Sequence, residues 1–237
     1  MTKKLKFDLD CDKNASFFIR YSNMLSELYL HRFGGIARLY GADALEKLSQ
    51  AHFAVIGLGG VGTWVAEALA RSGIGHLTLV ELDEICVTNT NRQLHTTQSR
   101  VGHSKNKIMS DRLRDINPEL KITTVEDFLT KENMTSTIGQ QHDVVIDAID
   151  SAHMKARLVA YCSAIKVRLI VIGSSGGKLD PRQVECTDLG KTISDPMLAK
   201  VRTQLYRHHK FSRDPNRKFR IDAVYSIEQM KYPKEIK

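Results

Sequence analysis

At 237 residues, 42% of them hydrophobic, with a net charge of +8, the chain is long enough to bury a sizeable core and points to an anionic partner. No apolar run reaches the ~20 residues that span a bilayer, and Lys3-Lys4-Leu5-Lys6 leads into Asp8, Asp10 and Asp12 rather than a signal-peptide core, so a cytoplasmic protein without a membrane span is expected. The cysteines Cys11, Cys86, Cys162 and Cys186 are scattered without C-x-x-C spacing, which suggests neither a zinc site nor a disulfide framework.

Residues 1–25 mix charges with a short aromatic cluster, Phe17-Phe18-Ile19, show no sustained period, and read as an extension of low order. A short helical pattern from Ser26 runs into His31-Arg32-Phe33-Gly34-Gly35, and a second helix is predicted over Asp43 to Ser49. Strand-length apolar runs then alternate with helical segments: strand His52 to Ile56, helix Val61 to Arg71, strand His76 to Val80, helix Lys105 to Asn117 stopped by Pro118. Strand Lys121 to Glu126, strand Asp143 to Ile146, helix Ala152 to Ile165 and strand Arg168 to Ile172 continue the series. This alternation predicts an α/β, Rossmann-like fold: a mainly parallel sheet flanked by helices. After Gly173 the flexible Ser174-Ser175-Gly176-Gly177 leads into residues 178–188, where antiparallel strands are expected at the C-terminal side of the sheet.

Gly57-Leu58-Gly59-Gly60-Val61-Gly62 follows a predicted strand and opens a predicted helix. In that context Gly57, Gly59, Gly60 and Gly62 allow a tight turn and let backbone N–H groups approach phosphate. Glu81 ends the next strand, where an acid accepts hydrogen bonds from ribose hydroxyls, with Asp83 close behind. NAD and ATP fit that much equally. The following loop carries Asn89 and Arg92, and Lys105 begins the next helix; all leave the carboxyl ends of the strands, where ligands bind. Two cations there suit a triphosphate better than a hydride acceptor. Asp147 and Asp150 end the strand ahead of Ala152, where a carboxylate can hold Mg²⁺ against phosphates, and Asp150 is also a candidate N-cap.

The glycine loop, Thr88-Asn89-Thr90-Asn91-Arg92-Gln93, Lys105 and Asp147-Ala148-Ile149-Asp150 together resemble the E1-like superfamily of adenylating enzymes. Within it, Arg32 to Gly41, Cys86 to Gln93 and Thr187-Asp188-Leu189-Gly190-Lys191-Thr192 resemble the tRNA threonylcarbamoyladenosine dehydratase family. The resemblance implies an adenylating domain over 26–237, and in the family a further apolar segment rich in small residues. It implies ATP-dependent ring closure on adenosine 37 beside the tRNA anticodon: the threonylcarbamoyl carboxylate is adenylated with release of pyrophosphate, and the side chain cyclises and expels AMP.

By motif matching, Gly59, Gly60, Asn89, Arg92 and Lys105 meet the phosphates, Glu81 the ribose and Asp150 the magnesium, with Arg92, Lys105 and Asp150 catalytic. Glu81 stands where the superfamily more often has Asp, a reach longer by about 1.5 Å. The resemblance further implies a homodimer in which Arg32 or Arg38 reaches the partner's nucleotide, and association with a cysteine desulfurase and its sulfur acceptor.

Residues 198–220 carry eight Lys or Arg against one Asp, with aromatics interleaved. Lys200, Arg202, Arg207, Lys210, Arg213, Arg217, Lys218 and Arg220 are the candidates to hold tRNA phosphates, with aromatic or arginine planes to stack on splayed bases. The alternatives are E1-like adenylation of a carrier protein's C-terminus, disfavoured by the missing C-x-x-C pairs, and a noncatalytic nucleotide sensor. Cys162 and Cys186 are expected to be dispensable, because intramolecular ring closure needs no thioester.

Overall fold

Helices α1 (Glu27–Tyr40) and α2 (Ala42–Gln50) precede the sheet in the computed structural model, which describes residues 25–232. The extension expected at the N-terminus, with Cys11 and the Phe17 cluster, lies outside the described residues apart from Leu25. The sequence predicts only a short helical stretch running into Gly34-Gly35, whereas α1 continues through both glycines. Each glycine costs a helix interior ~1 kcal/mol. Two features offset that cost: the Ser26 hydroxyl caps the helix by accepting from the Tyr29 amide at 3.0 Å, and Tyr29, Leu30, Phe33 and Ala37 are buried with Leu45 of α2. Gly41, at φ +91°, makes the turn between the two helices.

The sheet is built from β1 (His52–Ile56), β2 (His76–Val80), β3 (Lys121–Val125), β4 (Val144–Asp147), β5 (Arg168–Ile172), β6 (Val184–Asp188) and β7 (Asp222–Ser226). Its order is β3-β2-β1-β4-β5-β7-β6. All neighbours are parallel except β6 and β7. Between the strands lie α3 (Gly62–Arg71), α4 (Lys105–Ile116), α5 (Met134–Thr137), α6 (Ala152–Ile165) and α7 (Pro196–His208). Successive residues of a strand face opposite sides. Ala54 and Ile56 accordingly join one core with Val159 of α6 and Val201 of α7, while Val55 joins the other with Ala66 of α3 and Met109 of α4.

The antiparallel addition expected over residues 178–188 reduces to β6. Its partner β7 lies beyond the basic segment and is itself parallel to β5. A five-residue strand with polar ends carries too little alternation to be read from sequence. Its place is decided by burial of Ala223 and Tyr225.

The chain runs outward from β1 through β2 to β3, then returns to β4 on β1's other side. That reversal opens a crevice at the carboxyl ends of β1 and β4, the position where open α/β sheets bind ligands.

Candidate active site

The glycine loop leaves β1 at this crevice. Gly57 adopts φ +92°, and a Cβ on it would lie 3.1 Å from the Ala148 carbonyl oxygen. A Cβ on Gly62 would sit 1.8 Å from the Gly57 carbonyl oxygen, so the turn closes on itself only without side chains. Gly59 differs, since a Cβ there meets nothing within 4 Å. Val61 gives α3 no side-chain cap, which leaves first-turn N–H groups and the positive helix end for an anion.

Glu81 is 7% exposed. Its Oε2 accepts from the Leu58 amide at 2.9 Å, and its Oε1 from the Leu82 and Asp83 amides at 3.0 Å. The acid assigned to ribose from sequence thus also braces the glycine loop. Lys105, 5% exposed, places Nζ 2.9 Å from Asp83 Oδ2 and 3.9 Å from Glu81 Oε2. Its charge is held on the floor of the crevice between two carboxylates.

The loop after β2 folds back over the glycines. Asn89 Oδ1 accepts from the Cys86 amide at 3.1 Å, and the Arg92 amide donates to the Asn89 carbonyl at 3.1 Å. The Trp64 indole N–H of α3 donates to the Arg92 carbonyl at 3.0 Å. The exposed Arg92 side chain runs across Gly60, where a Cβ would come within 3.0 Å of its Cγ. Its Nη1 donates to Asn91 Oδ1 at 2.9 Å and to the Thr88 carbonyl at 3.2 Å. The structure therefore brings Arg92 onto Gly60, with Asn89 bonded to the Arg92 backbone, and connects Lys105 to the loop through Glu81.

At the exit of β4, Ala148 and Ile149 pack on Gly57, which sets the exposed Asp150 beside the loop. Asp147, grouped with Asp150 in the sequence reading, is fully buried and pairs with Lys155 of α6 at 3.0 Å. The cap of α6 is Ser151, which accepts from the Met154 amide at 3.4 Å. That corrects Asp150 as N-cap and leaves its carboxylate free of that duty. Among the described residues no three His, Cys, Asp or Glu side chains form a metal cage. A lone carboxylate completed by phosphate oxygens and water is a usual Mg²⁺ arrangement, and Asp150 fits it.

Apart from Asp147, sequence reasoning missed the buried polar groups around this loop. Gln93 Oε1, His95 Nε2, Asn106 Oδ1 and Asp147 Oδ2 are buried without a hydrogen-bond partner among the described residues. Burial and the Lys105 charge hold the His95 imidazole down at about 4, so it is neutral at physiological pH. Only its position two residues after Gln93 hinted at a role.

The basic segment is only partly what the sequence suggests. Lys200, Arg207, Lys210, Arg213, Arg217, Lys218 and Arg220 are exposed. Arg202 is half-buried and donates to the Thr192 hydroxyl. Phe211 and Phe219 pack against the core and meet edge to face at 4.9 Å, so they support the fold instead of offering planes for bases. Tyr206 is covered by Arg213, 5.5 Å above its ring. In α1, Arg32 donates to the Ile116 carbonyl at 3.0 Å, and Arg38 is exposed.

Residues 34–210 match the model of the ThiF family. The tRNA threonylcarbamoyladenosine dehydratase of Haemophilus influenzae is 52% identical over 205 residues, covering 86% of this chain and 78% of that protein. Among solved structures, the ATP complex of the Escherichia coli tRNA N6-threonylcarbamoyladenosine dehydratase, TcdA, superposes with a TM-score of 0.84 at 47% identity, covering 88% of this chain and 86% of that one. The AMP complex of the same enzyme gives 0.86 at 46% identity, covering 89% and 86%. A crevice built from glycine loop, cationic loop and acidic strand exit, on a chain this similar throughout, has one explanation: the chain belongs to the ThiF family and, within it, to the tRNA threonylcarbamoyladenosine dehydratases.

Proposed function

We propose that this chain uses ATP and Mg²⁺ to cyclise threonylcarbamoyladenosine at position 37 of tRNA. The observation that carries the reading is Arg92 lying across Gly60 while Lys105 sits 3.9 Å from Glu81 Oε2, the oxygen that accepts from the Leu58 amide of the same loop. Two cations tied to the loop that opens a helix without a side-chain cap suit a triphosphate whose α-phosphate is under attack. The relatives named for this activity, and ATP and AMP complexes of one of them, support it.

In the proposed sequence, a substrate carboxylate oxygen attacks the α-phosphorus. A C–O–P linkage forms, the bond to the β-phosphate breaks, and pyrophosphate leaves. An atom of the carbamoyl side chain then attacks the activated carbonyl, loses a proton and expels AMP. Arg92 and Lys105 stabilise charge growing on the phosphate oxygens, a contribution worth roughly 10³ in rate for a well-placed donor. Asp150 would hold Mg²⁺, which when bound neutralises phosphate charge. Glu81 holds the glycine loop in shape while one lone-pair direction remains for the ribose.

The exposed cations of α7 and the loop after it would contact tRNA phosphates near the anticodon. Exposed Leu28, Leu39 and Tyr40 on α1, with Trp64, Leu82 and Val87, favour self-association. With Arg32 engaged at Ile116, Arg38 is the better candidate to reach a partner's nucleotide.

The test is incubation with ATP, magnesium and tRNA carrying threonylcarbamoyladenosine, following pyrophosphate and the nucleoside mass. Loss of one water, abolished in Arg92→Ala, is expected. Pyrophosphate release only when a carrier protein is supplied would replace this reading with carrier adenylation, and bound ATP without turnover would point to a sensor.

A further inference from the structure

A second concavity borders the glycine loop. It is a cleft of about 380 Å³ whose lining includes Val61, Ile172, Ser174, Ser175, Val184 and Val224. Val61 is the residue before the first turn of α3, so whatever fills the cleft abuts the loop that binds the nucleotide. None of the nucleotide-site residues Glu81, Asp83, Asn89, Arg92, Lys105 or Asp150 lines it.

The cleft is held open by its own hydrogen bonds. On one side the strap after β5 is pinned where Glu228 Oε2 accepts from the Leu179 and Asp180 amides at 2.7 and 2.9 Å. The Lys178 ammonium donates to the Ser194 carbonyl at 3.2 Å and to the Glu228 carbonyl. That cation is spent on structure. On the other side, Asp195 is 3% exposed and bridges two elements: Oδ2 accepts from the Ser174 amide at 2.8 Å, and Oδ1 caps α7 by accepting from the Leu198 amide at 2.8 Å. A Cβ on Gly173 would fall 2.3 Å from Asp195 Oδ2, so glycine is required for this approach. The basic helix and the cleft wall are thereby one rigid unit.

We infer that this cleft receives the threonylcarbamoyl side chain of the modified nucleoside, an inference that rests on the function proposed above. Three features select that occupant. The volume lies at the small end of the roughly 300–1,000 Å³ typical of small-ligand sites, which suits one side chain and part of a base. The lining mixes aliphatic side chains with serine, and its two charged residues, Lys178 and Asp180, are already paired with backbone carbonyls and with Arg182, which suits a group with a methyl, a hydroxyl and an uncharged urea. The Val61 end lies by the α3 N-terminus, which favours a carboxylate there and directs it to the phosphates.

The experiment compares the wild type with two cleft-filling variants, Ser175→Trp and Val184→Trp. Both sites are exposed, Val184 by 54% on an edge strand, so both chains should fold. With ATP, magnesium and modified tRNA, kcat/KM is expected to fall about a hundredfold in each, the scale of an ångström-level misplacement of substrate. Affinities for ATP and for unmodified tRNA should remain at wild-type values. Wild-type kcat/KM in both variants, beside an active wild type, would overturn the cleft assignment alone. A wild type that removes no water from modified tRNA would overturn the proposed function, and the cleft assignment with it. Equal loss of ATP affinity in both variants would assign the cleft to the nucleotide and overturn the inference.

Discussion

Lys155 Nζ lies 3.0 Å from Asp147 Oδ1 and 3.0 Å from the Asp147 carbonyl oxygen, with both residues almost wholly buried at 1% and 0% exposure. Burial pushes the Asp147 carboxyl above the usual carboxylate range, while Lys155 and the Ile149 amide pull it down. The pair shapes the strand exit that carries Asp150. Removing one partner leaves a buried charge uncompensated, at a cost of about 3–5 kcal/mol. Lys155→Met should therefore lower the denaturation midpoint steeply, and Lys155→Met combined with Asp147→Asn should recover part of the loss. A single variant as stable as the wild type would contradict the pairing.

Gly60 and Arg92 should behave as one unit. In Gly60→Ala the new Cβ meets Arg92 Cγ at 3.0 Å and Cδ at 3.1 Å. The side chain can swing away, so stability should hold while ATP affinity drops by about tenfold from a displaced cation. Calorimetric titration of Gly60→Ala, Arg92→Ala and the double variant should give strongly non-additive losses. Additive losses would mean that Arg92 does not work from its position across the loop.

Acid should weaken the fold through a histidine cluster far from the crevice. His52 and His76 stack at 3.5 Å between ring centroids, and His142 lies 4.3 Å from His52. Thr78 serves His52 at 2.8 Å and His142 at 3.1 Å, and Thr123 serves His76 at 3.0 Å. Burial, then the neighbouring imidazoles, lower His52 to about 4 despite Asp143. Burial also lowers His76 and His142, with Lys121 adding to the effect on His76. The unfolded chain takes up these protons first, near pH 6.5. Stability should consequently decline as pH falls from about 6.5 toward about 4. Thermal melts across that window test this, and His76→Gln should flatten the slope; an unchanged slope would exclude the stack as its source.

The thiols should separate by environment. Burial, helped by Asp147, pushes Cys162 up to about 12. The Thr88 hydroxyl donates to Cys86 Sγ at 3.2 Å and holds that exposed thiol below its ordinary range. Iodoacetamide should label Cys86 in the native protein and Cys162 only after unfolding. Cys162→Ser and Cys186→Ser should retain cyclisation, the first with a stability loss of about 1–3 kcal/mol from a buried hydroxyl. A folded Cys186→Ser protein without turnover would show that a thiol takes part.

Binding to tRNA should depend on salt through the exposed cations alone. Replacing Lys210, Arg213 and Arg217 together by Ala should reduce the slope of log affinity against log salt by about 2 to 3, at roughly 0.7–0.9 per lost phosphate contact. Arg202→Ala should alter stability more than the slope, because that side chain serves Thr192. Equal slopes for the wild type and the triple variant would remove the segment from the interface.

By itself the sequence determined what is local. Alternating apolar runs specified strands β1 to β5 within a residue or so, since strand burial and helix periodicity leave their marks on neighbouring positions. The glycine loop was legible from its spacing between a strand and a helix, but only Gly62 answers a steric demand within a few residues of itself; Gly60 answers to Arg92, Gly57 to Ala148, and Gly59 to none. Only the tertiary structure decided which polar groups are already engaged. Lys105 between Asp83 and Glu81, Asp147 against Lys155 and Arg202 on Thr192 look in sequence like any other charges near a site, and partners 8 to 24 positions apart carry no period that identifies them. The cleft beside Val61 is the extreme case: its walls come from the residue before α3, from β5 and the strap after it, and from β6 and β7, segments that meet only because the sheet brings their ends together.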